Sequence, residues 1–100
     1  MAKILFTISY DVNPEHREEY LALAREMKKH LVEGRGKKYA IYEQRGKKDS
    51  YVEVFFCDSV EEYDTLEDDQ DEKTEELVQR LEPFLRSGKM KYVTLIEAVD

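Results

Sequence analysis

Several residue types are scarce or missing in this sequence. It contains no tryptophan, one cysteine, two histidines and two prolines among 100 residues. Because Cys57 has no second cysteine in the chain, an internal disulfide is excluded, as is common in proteins of the reducing cytoplasm. One cysteine and two histidines far apart in the sequence do not form a set of zinc ligands, so we expect no bound metal. The four glycines also lack the spacing of a phosphate-binding loop.

Long hydrophobic runs and an excess of basic residues are also absent. No apolar run approaches the length of about 18 residues that a membrane-spanning helix needs, and the first residues do not resemble a signal peptide. Lys and Arg total 16 against 23 Asp and Glu, and the net charge of -7 argues against nucleic-acid binding. With 41% hydrophobic residues, we expect one cytoplasmic domain over residues 1–100, with neither a membrane nor a nucleic acid as partner.

The first part of the chain predicts a strand followed by a helix. Apolar residues alternate with others over residues 3–12, which is typical of a strand. Asn13 is a favourable N-cap and Pro14 suits the first helical position, so we expect a helix over residues 14–32. The apolar positions of this helix form one stripe about 100° wide. Its members are Tyr20, Leu23, Ala24, Met27 and Leu31.

The remainder predicts two strands, a helical segment and a last strand. Residues 39–44 and 51–57 are strand-like and are separated by a short polar loop, which predicts an antiparallel hairpin. Ser59 and Glu62 match a capping box at the start of a helix. The acidic run after it predicts a break, giving helices over about 60–66, with Val60 facing inward, and about 71–86. Alternation over residues 91–99 predicts the last strand.

The resulting order, β-α-β-β-α-β, predicts an α+β, ferredoxin-like fold. In this fold a four-stranded antiparallel sheet carries both helices on one face. The predicted strands are apolar on both sides, so the face without helices needs a second packed layer. We therefore expect a homodimer through facing sheets. The alternative is a monomer with a few exposed Tyr and Val residues.

This pattern resembles the antibiotic biosynthesis monooxygenase-like family of dimeric α/β barrels. The resemblance covers nearly the whole chain and includes Asn-Pro-Glu at residues 13–15 and Phe-Cys-Asp-Ser-Val-Glu-Glu-Tyr at residues 56–63. The family includes cofactor-independent quinone-forming oxygenases, haem-degrading enzymes and isomerases. Its members often end the third strand with Trp and carry His on the next helix, where this chain has Phe56 or Cys57 and about Leu66. That difference argues against haem degradation and against chemistry that depends on this His.

Three side chains are candidates for a functional site. His16 falls inside the stripe of the first helix, where it can act as an acid or base or simply cover the edge of the core. The seven tyrosines are numerous for this length and suit a cavity for a flat phenolic or quinone ligand. Tyr is also a good strand residue, which alone explains many of them. Tyr20 and Tyr63, one from each helical segment, are the pair expected to line a pocket between helices and sheet.

Two functions are compatible with these features. The resemblance implies a small-molecule-binding protein or a cofactor-independent, monooxygenase-like oxidoreductase that acts on an aromatic or apolar substrate. His16 is then the catalytic residue, Tyr20 and Tyr63 bind the substrate, and no cofactor is required. The alternative is a non-catalytic ligand-binding or assembly protein of the same fold, which the lack of a recognisable acid–base pair favours. A pocket between helices and sheet that is closed to bulk water and contains His16 or a Tyr pair would favour the enzyme, whereas a packed core there would favour the alternative.

Overall fold

The computed structural model describes residues 2–68 and 71–99, which are built around one four-stranded sheet. The strands are β1 (Ile4–Asp11), β2 (Tyr39–Glu43), β3 (Ser50–Cys57) and β4 (Lys91–Ile96). Neighbouring strands are antiparallel, and their order across the sheet is β2-β3-β1-β4. This topology confirms the ferredoxin-like α+β fold and the hairpin of β2 and β3.

Three α-helices pack on one side of the sheet. They are α1 (Arg17–Lys28), α2 (Val60–Asp68) and α3 (Glu72–Leu81). Shorter helical turns flank them at Pro14–His16, Lys29–Gly34 and Glu82–Phe84. The second helical segment is therefore divided into two helices, as the acidic run predicts. None of the helices in the described part of the chain has the length and apolar content that crossing a membrane requires.

The ends of several elements differ from the sequence prediction. The α-helical part of the first helix begins at Arg17, because Pro14–His16 adopts the tighter 3-10 turn. The last strand ends at Ile96, three residues earlier than predicted. The inward orientation predicted for Val60 is wrong, because this first residue of α2 is 51% exposed.

The core lies between the helices and the sheet. The apolar stripe predicted for the first helix is confirmed, because all five of its members are buried. Leu77 and Leu81 of α3 pack into the same cluster, together with Tyr10 of β1 and Tyr51 of β3. Burying each of these leucines stabilises the fold by about 1.5–3 kcal/mol.

The strand register sorts the side chains of the sheet onto two faces. Because successive residues alternate, Phe6 of β1 shares the helix-facing side with its partners Phe55 and Thr94. We call the other side the open face, because no helix of the described residues packs on it. Its apolar members on β1, β3 and β4 are Leu5, Val52, Val54, Phe56, Val93 and Leu95.

A candidate ligand-binding site between sheet and helices

A cavity of about 710 Å³ lies between the helix-facing side of the sheet and the three helices. This volume is within the range of sites for small organic molecules. The apolar part of its wall comes from both layers. It includes Phe6, Ile8, Phe55, Met27, Leu31 and Leu77. A pocket between helices and sheet is therefore present, and of the residues proposed for it, Tyr63 lines the wall while His16 and Tyr20 do not.

Aromatic rings form one wall of the cavity. The ring of Tyr92 is stacked on that of Phe6, with centroids 6.1 Å apart and planes 14° from parallel. Tyr63 of α2 meets the same Phe6 edge-on at 6.0 Å. Phe55 lies on the other side of Phe6, at 6.1 Å. Such a surface favours a flat aromatic ligand, which can stack on one ring and meet another by its edge.

Tyr63, which the sequence analysis selected for ligand binding, lies at this cavity. Its hydroxyl is 3.0 Å from Oγ1 of Thr94 on β4, and both residues line the wall. Ser59 positions the start of α2, because its hydroxyl accepts a hydrogen bond from the backbone N–H of Glu62 at 3.1 Å. The Ser59 cap thus fixes the start of the helix that carries Tyr63 over the sheet, and the Glu62 carboxylate accepts from the backbone N–H of Asp58 at 3.2 Å.

Glu53 of β3 contributes a buried carboxyl group to the cavity wall. It is 6% exposed and lies between Ile8 and Ile41 in the sheet register. The hydroxyl of Tyr39 donates a hydrogen bond of 2.6 Å to its Oε1 atom. Burial raises the pKa of Glu53, although the hydroxyls of Tyr39 and Tyr10 oppose this rise. A carboxyl of this kind can exchange a proton at higher pH than one on the surface.

Tyr20 lies deeper in the core than the cavity. Its side chain is fully buried, and its hydroxyl is 2.8 Å from that of Tyr10. Its ring lies 4.4 Å from that of Tyr51. The cavity wall does not include Tyr20, so the structure brings Tyr63 but not Tyr20 to the ligand space. A ligand-binding role for Tyr20 stays a prediction.

His16 lies outside the cavity, in the 3-10 turn before α1. Its half-buried ring packs against Phe84 at 5.3 Å. Its Nδ1 atom is 3.1 Å from Oε1 of Glu19, one turn further along the helix. These contacts hold His16 at the edge of the core, and its catalytic role stays a prediction.

A polar cluster fixes the start of α3 beside the cavity. Nε2 of His30 is 2.7 Å from Oδ2 of Asp71, and Arg35 donates a hydrogen bond of 2.9 Å to Oδ1. The hydroxyl of Thr74 also bonds to Asp71, and with His30 and Arg35 it lowers the pKa of this carboxyl to about 2. Arg35 and Thr74 line the cavity. The cluster therefore ties α3 to the segment after α1.

The sequence analysis did not select Glu53. Its signal was a single acidic residue inside the otherwise apolar strand segment Tyr-Val-Glu-Val-Phe-Phe at residues 51–56. Because this segment is apolar on both sides, alternation alone does not say which face meets the helices. The register settles this point, because Glu53 pairs with Ile8 and shares its face with Tyr10 and Phe55.

No model of a known protein family matches the chain, and no curated protein sequence matches it either. Solved structures with the same fold include a candidate antibiotic biosynthesis monooxygenase from Nitrosomonas europaea, with a TM-score of 0.77 and 8% identity over 96% of this chain and 90% of that one. A variant of SnoaB, a cofactor-independent oxygenase from Streptomyces nogalater, gives 0.73 and 10% over 98% and 95%. A NIPSNAP domain protein from Burkholderia xenovorans gives 0.74 and 15% over 96% and 95%.

At these identities the similarity establishes the fold and leaves the activity to be argued from the site. The resemblance in the sequence and the superposition of the structures agree. The chain therefore has the ferredoxin-like fold of the antibiotic biosynthesis monooxygenase-like proteins.

Proposed function

We propose that this protein binds a planar aromatic small molecule in the cavity between sheet and helices, and that Glu53 exchanges a proton with it. One observation carries this proposal: a buried carboxyl lies on the wall of a cavity that is otherwise mainly apolar and aromatic. Placing a carboxyl in such surroundings costs free energy that an apolar residue would not. A role in proton exchange accounts for its presence.

The wall also contains groups that orient a ligand. Phe6 and Tyr92 offer ring faces, while the hydroxyls of Tyr63 and Thr94 offer hydrogen bonds at the edge of the sheet. A phenol or hydroquinone fits this arrangement, because its ring stacks on the aromatic wall and its hydroxyl donates to Glu53.

The reaction we propose is a cofactor-independent oxygenation, by analogy with the activity that the name of SnoaB gives. Glu53 as carboxylate removes the phenolic proton of an electron-rich substrate whose ring also carries an activated CH2 group. The substrate anion passes its electrons to molecular oxygen. The CH2 group and O2 then become a carbonyl group and one water, so that the substrate itself is the reductant. The aromatic wall holds the ring in place during this step.

A non-catalytic binding protein is the second candidate. The hydrogen bond from Tyr39 to Glu53 favours it, because it gives the carboxyl a partner without any ligand. In this case the cavity binds the same class of molecule and releases it unchanged. The two candidates differ in oxygen consumption.

We further propose that the protein is a homodimer through its open faces. Leu5 lies between Phe56 and Leu95 in the register, forming an apolar row across three strands. Phe56 is 36% exposed and Leu95 is 50% exposed in the single chain. A second copy placed on this face would remove the row from water and satisfy the geometry of a two-fold axis. The partner would thus supply the layer that the chain itself lacks.

A ligand screen tests the proposed function. Phenols, naphthols, hydroquinones and quinones, together with phenolic compounds that carry an activated CH2 group, are tested for an increase in melting temperature. The binders that carry this CH2 group are then tested for oxygen uptake. We expect binding by wild type, weaker binding of phenols by Glu53→Gln, and unchanged binding by His16→Asn, whose side chain lies outside the cavity. Oxygen uptake that Glu53→Gln abolishes supports the enzyme, and binding without uptake supports the second candidate. If no aromatic compound binds, the proposal is wrong.

A further inference from the structure

Tyr39 contacts Glu53 from behind the cavity wall. It pairs with Phe55 in the register, so it lies diagonally across from Glu53 on the neighbouring strand. Its ring packs against Phe55 at 4.8 Å, and its side chain is buried. Its hydroxyl donates to Oε1 of Glu53 at 2.6 Å. Phe55 and Glu53 line the cavity but Tyr39 does not, so it acts on the ligand space only through them.

We propose that Tyr39 is a positioning residue for Glu53: its hydroxyl fixes the carboxyl group against the cavity wall and stabilises its ionised form, so that Glu53 can act as a base. The inference rests on the proposed function, because a base is useful only where a ligand carries an acidic proton. A hydrogen bond to an ionised acceptor is stronger than one to a neutral acceptor. The bond from Tyr39 therefore favours the carboxylate over the protonated acid.

Tyr39 is better placed for this role than Tyr10, whose hydroxyl also lowers the pKa of Glu53. A phenol has only one proton to donate. The hydroxyl of Tyr10 is 2.8 Å from that of Tyr20, which is the hydrogen-bond partner that its geometry gives it. The proton of Tyr39 is directed to Glu53. Glu53 is the acceptor of this pair, because burial raises the pKa of Tyr39 and keeps its phenol neutral.

Charged groups also line the cavity, but the pKa of Glu53 is set mainly by burial and by the hydroxyls of Tyr39 and Tyr10. In the described residues, the lining includes Arg35 and Lys37 from the segment after α1 and Glu75 from α3. The pKa of Glu53 responds first to burial, which raises it, and then to the hydroxyls of Tyr39 and Tyr10, which lower it. Removing the hydroxyl of Tyr39 removes a hydrogen bond that lowers the pKa of Glu53, so this pKa should rise.

The test is a pH titration of the Glu53 carboxyl in the ligand-free protein. NMR monitors this titration in protein labelled with 13C at the glutamate side-chain carboxyl. Glu53→Gln identifies the signal. In Tyr39→Phe we expect the midpoint to move to higher pH. The matched control is Tyr51→Phe, which removes a buried hydroxyl that accepts a hydrogen bond of 2.8 Å from Arg17. In Tyr51→Phe the midpoint of the Glu53 titration should remain that of wild type, even if Tyr51→Phe and Tyr39→Phe lose similar amounts of stability. An unchanged or lowered midpoint in Tyr39→Phe overturns the proposal.

A measurement on wild type covers the case in which Tyr39→Phe does not fold. The ring carbon that bears the hydroxyl of Tyr39 should shift with the Glu53 titration, and that of Tyr51 should not. If the chemical shift of this Tyr39 carbon does not change as Glu53 titrates, the proposal is overturned. Both readouts need no ligand, so they separate this inference from the proposed function. If the cavity binds aromatic compounds, Tyr39→Phe should also shift the pH dependence of this binding to higher pH.

Discussion

The hydroxyl of Tyr39 lies 2.6 Å from Oε1 of Glu53, although the two residues belong to different strands and are separated by 14 positions in the sequence. Both side chains are buried on the helix-facing side of the sheet. The pair places an ionisable group beside aromatic rings, in surroundings where its protonation state depends on a few defined contacts. This relationship links the stability of the protein to its proposed chemistry.

Glu53→Gln should change how stability depends on pH. Burial raises the pKa of Glu53 above its ordinary value of 4.5, so the folded protein binds this proton more tightly than the unfolded chain. Its contribution to the free energy of unfolding is complete below a pH of about 4.5 and is lost as the pH rises through the folded-state pKa. Wild type should therefore lose stability relative to Glu53→Gln over that range, as measured by urea unfolding at several pH values.

The control for this prediction is Val60→Thr, an exposed position on α2 where no ionisable group is removed. Its difference in stability from wild type should stay constant over the same pH range. A constant difference between Glu53→Gln and wild type at all pH values would contradict the burial of an ionisable carboxyl.

Asp49→Ala should destabilise the hairpin of β2 and β3. Asp49 is 2% exposed, accepts a hydrogen bond of 2.8 Å from Arg17 and has a φ of 63°. Alanine leaves Arg17 without this acceptor and adopts positive φ less readily, so we expect a loss of about 1–3 kcal/mol. Asp49→Asn should lose less, because Asn keeps an oxygen acceptor and tolerates this backbone conformation. Equal effects of Ala and Asn in urea unfolding would refute this explanation.

Glu43→Gln should weaken the protein at neutral pH but not in strong acid. Arg17 binds both carboxyl oxygens of Glu43, at 2.7 and 3.1 Å, and lowers its pKa to about 2. A lowered pKa gives stability that is present above the unfolded value of 4.5 and is lost as the pH falls towards 2. The free energies of unfolding of Glu43→Gln and wild type, measured by urea unfolding, should therefore become equal as the pH is lowered. A gap that stays constant or widens would count against this assignment.

Leu95→Glu should convert a dimer into monomers. It places a charge in the apolar row of the open face, where a partner sheet would bury it without a counter-ion. Val60→Glu is the matched control, because Val60 is equally exposed but lies on α2. Sedimentation should show wild type and the control as dimers and Leu95→Glu as a monomer. A wild-type monomer at micromolar concentration would refute the dimer.

The sequence predicted the architecture well because the signals were local. The stripe of α1, the hairpin and the capping box at Ser59 each depend on residues close together in the chain. Ends of elements were less predictable. The 3-10 turn at Pro14–His16 rotates its residues by about 120° each, so the projection at 100° per residue does not apply to His16.

The candidate site was predicted only in part, because its position depends on long-range packing. Tyr63 lies on the cavity wall, whereas Tyr20, on the same stripe as Met27, lies deeper, beside Tyr10. Helical periodicity identifies the buried side of a helix, but it does not show where a cavity remains between the helices and the sheet. The helix-facing orientation of Glu53 likewise required the strand register.

The most direct test of the proposed function is to locate a bound aromatic ligand by methyl NMR. A naphthol that raises the melting temperature is titrated into protein labelled at its methionine, leucine and valine methyl groups. We predict that the signals of Met27, Leu77 and Val78 in the cavity shift, that those of Val52 and Leu95 on the open face do not, and that Glu53→Gln weakens the response. Shifts confined to the open face, or cavity signals that stay constant with every compound in the panel, would contradict the assignment of this cavity as the binding site.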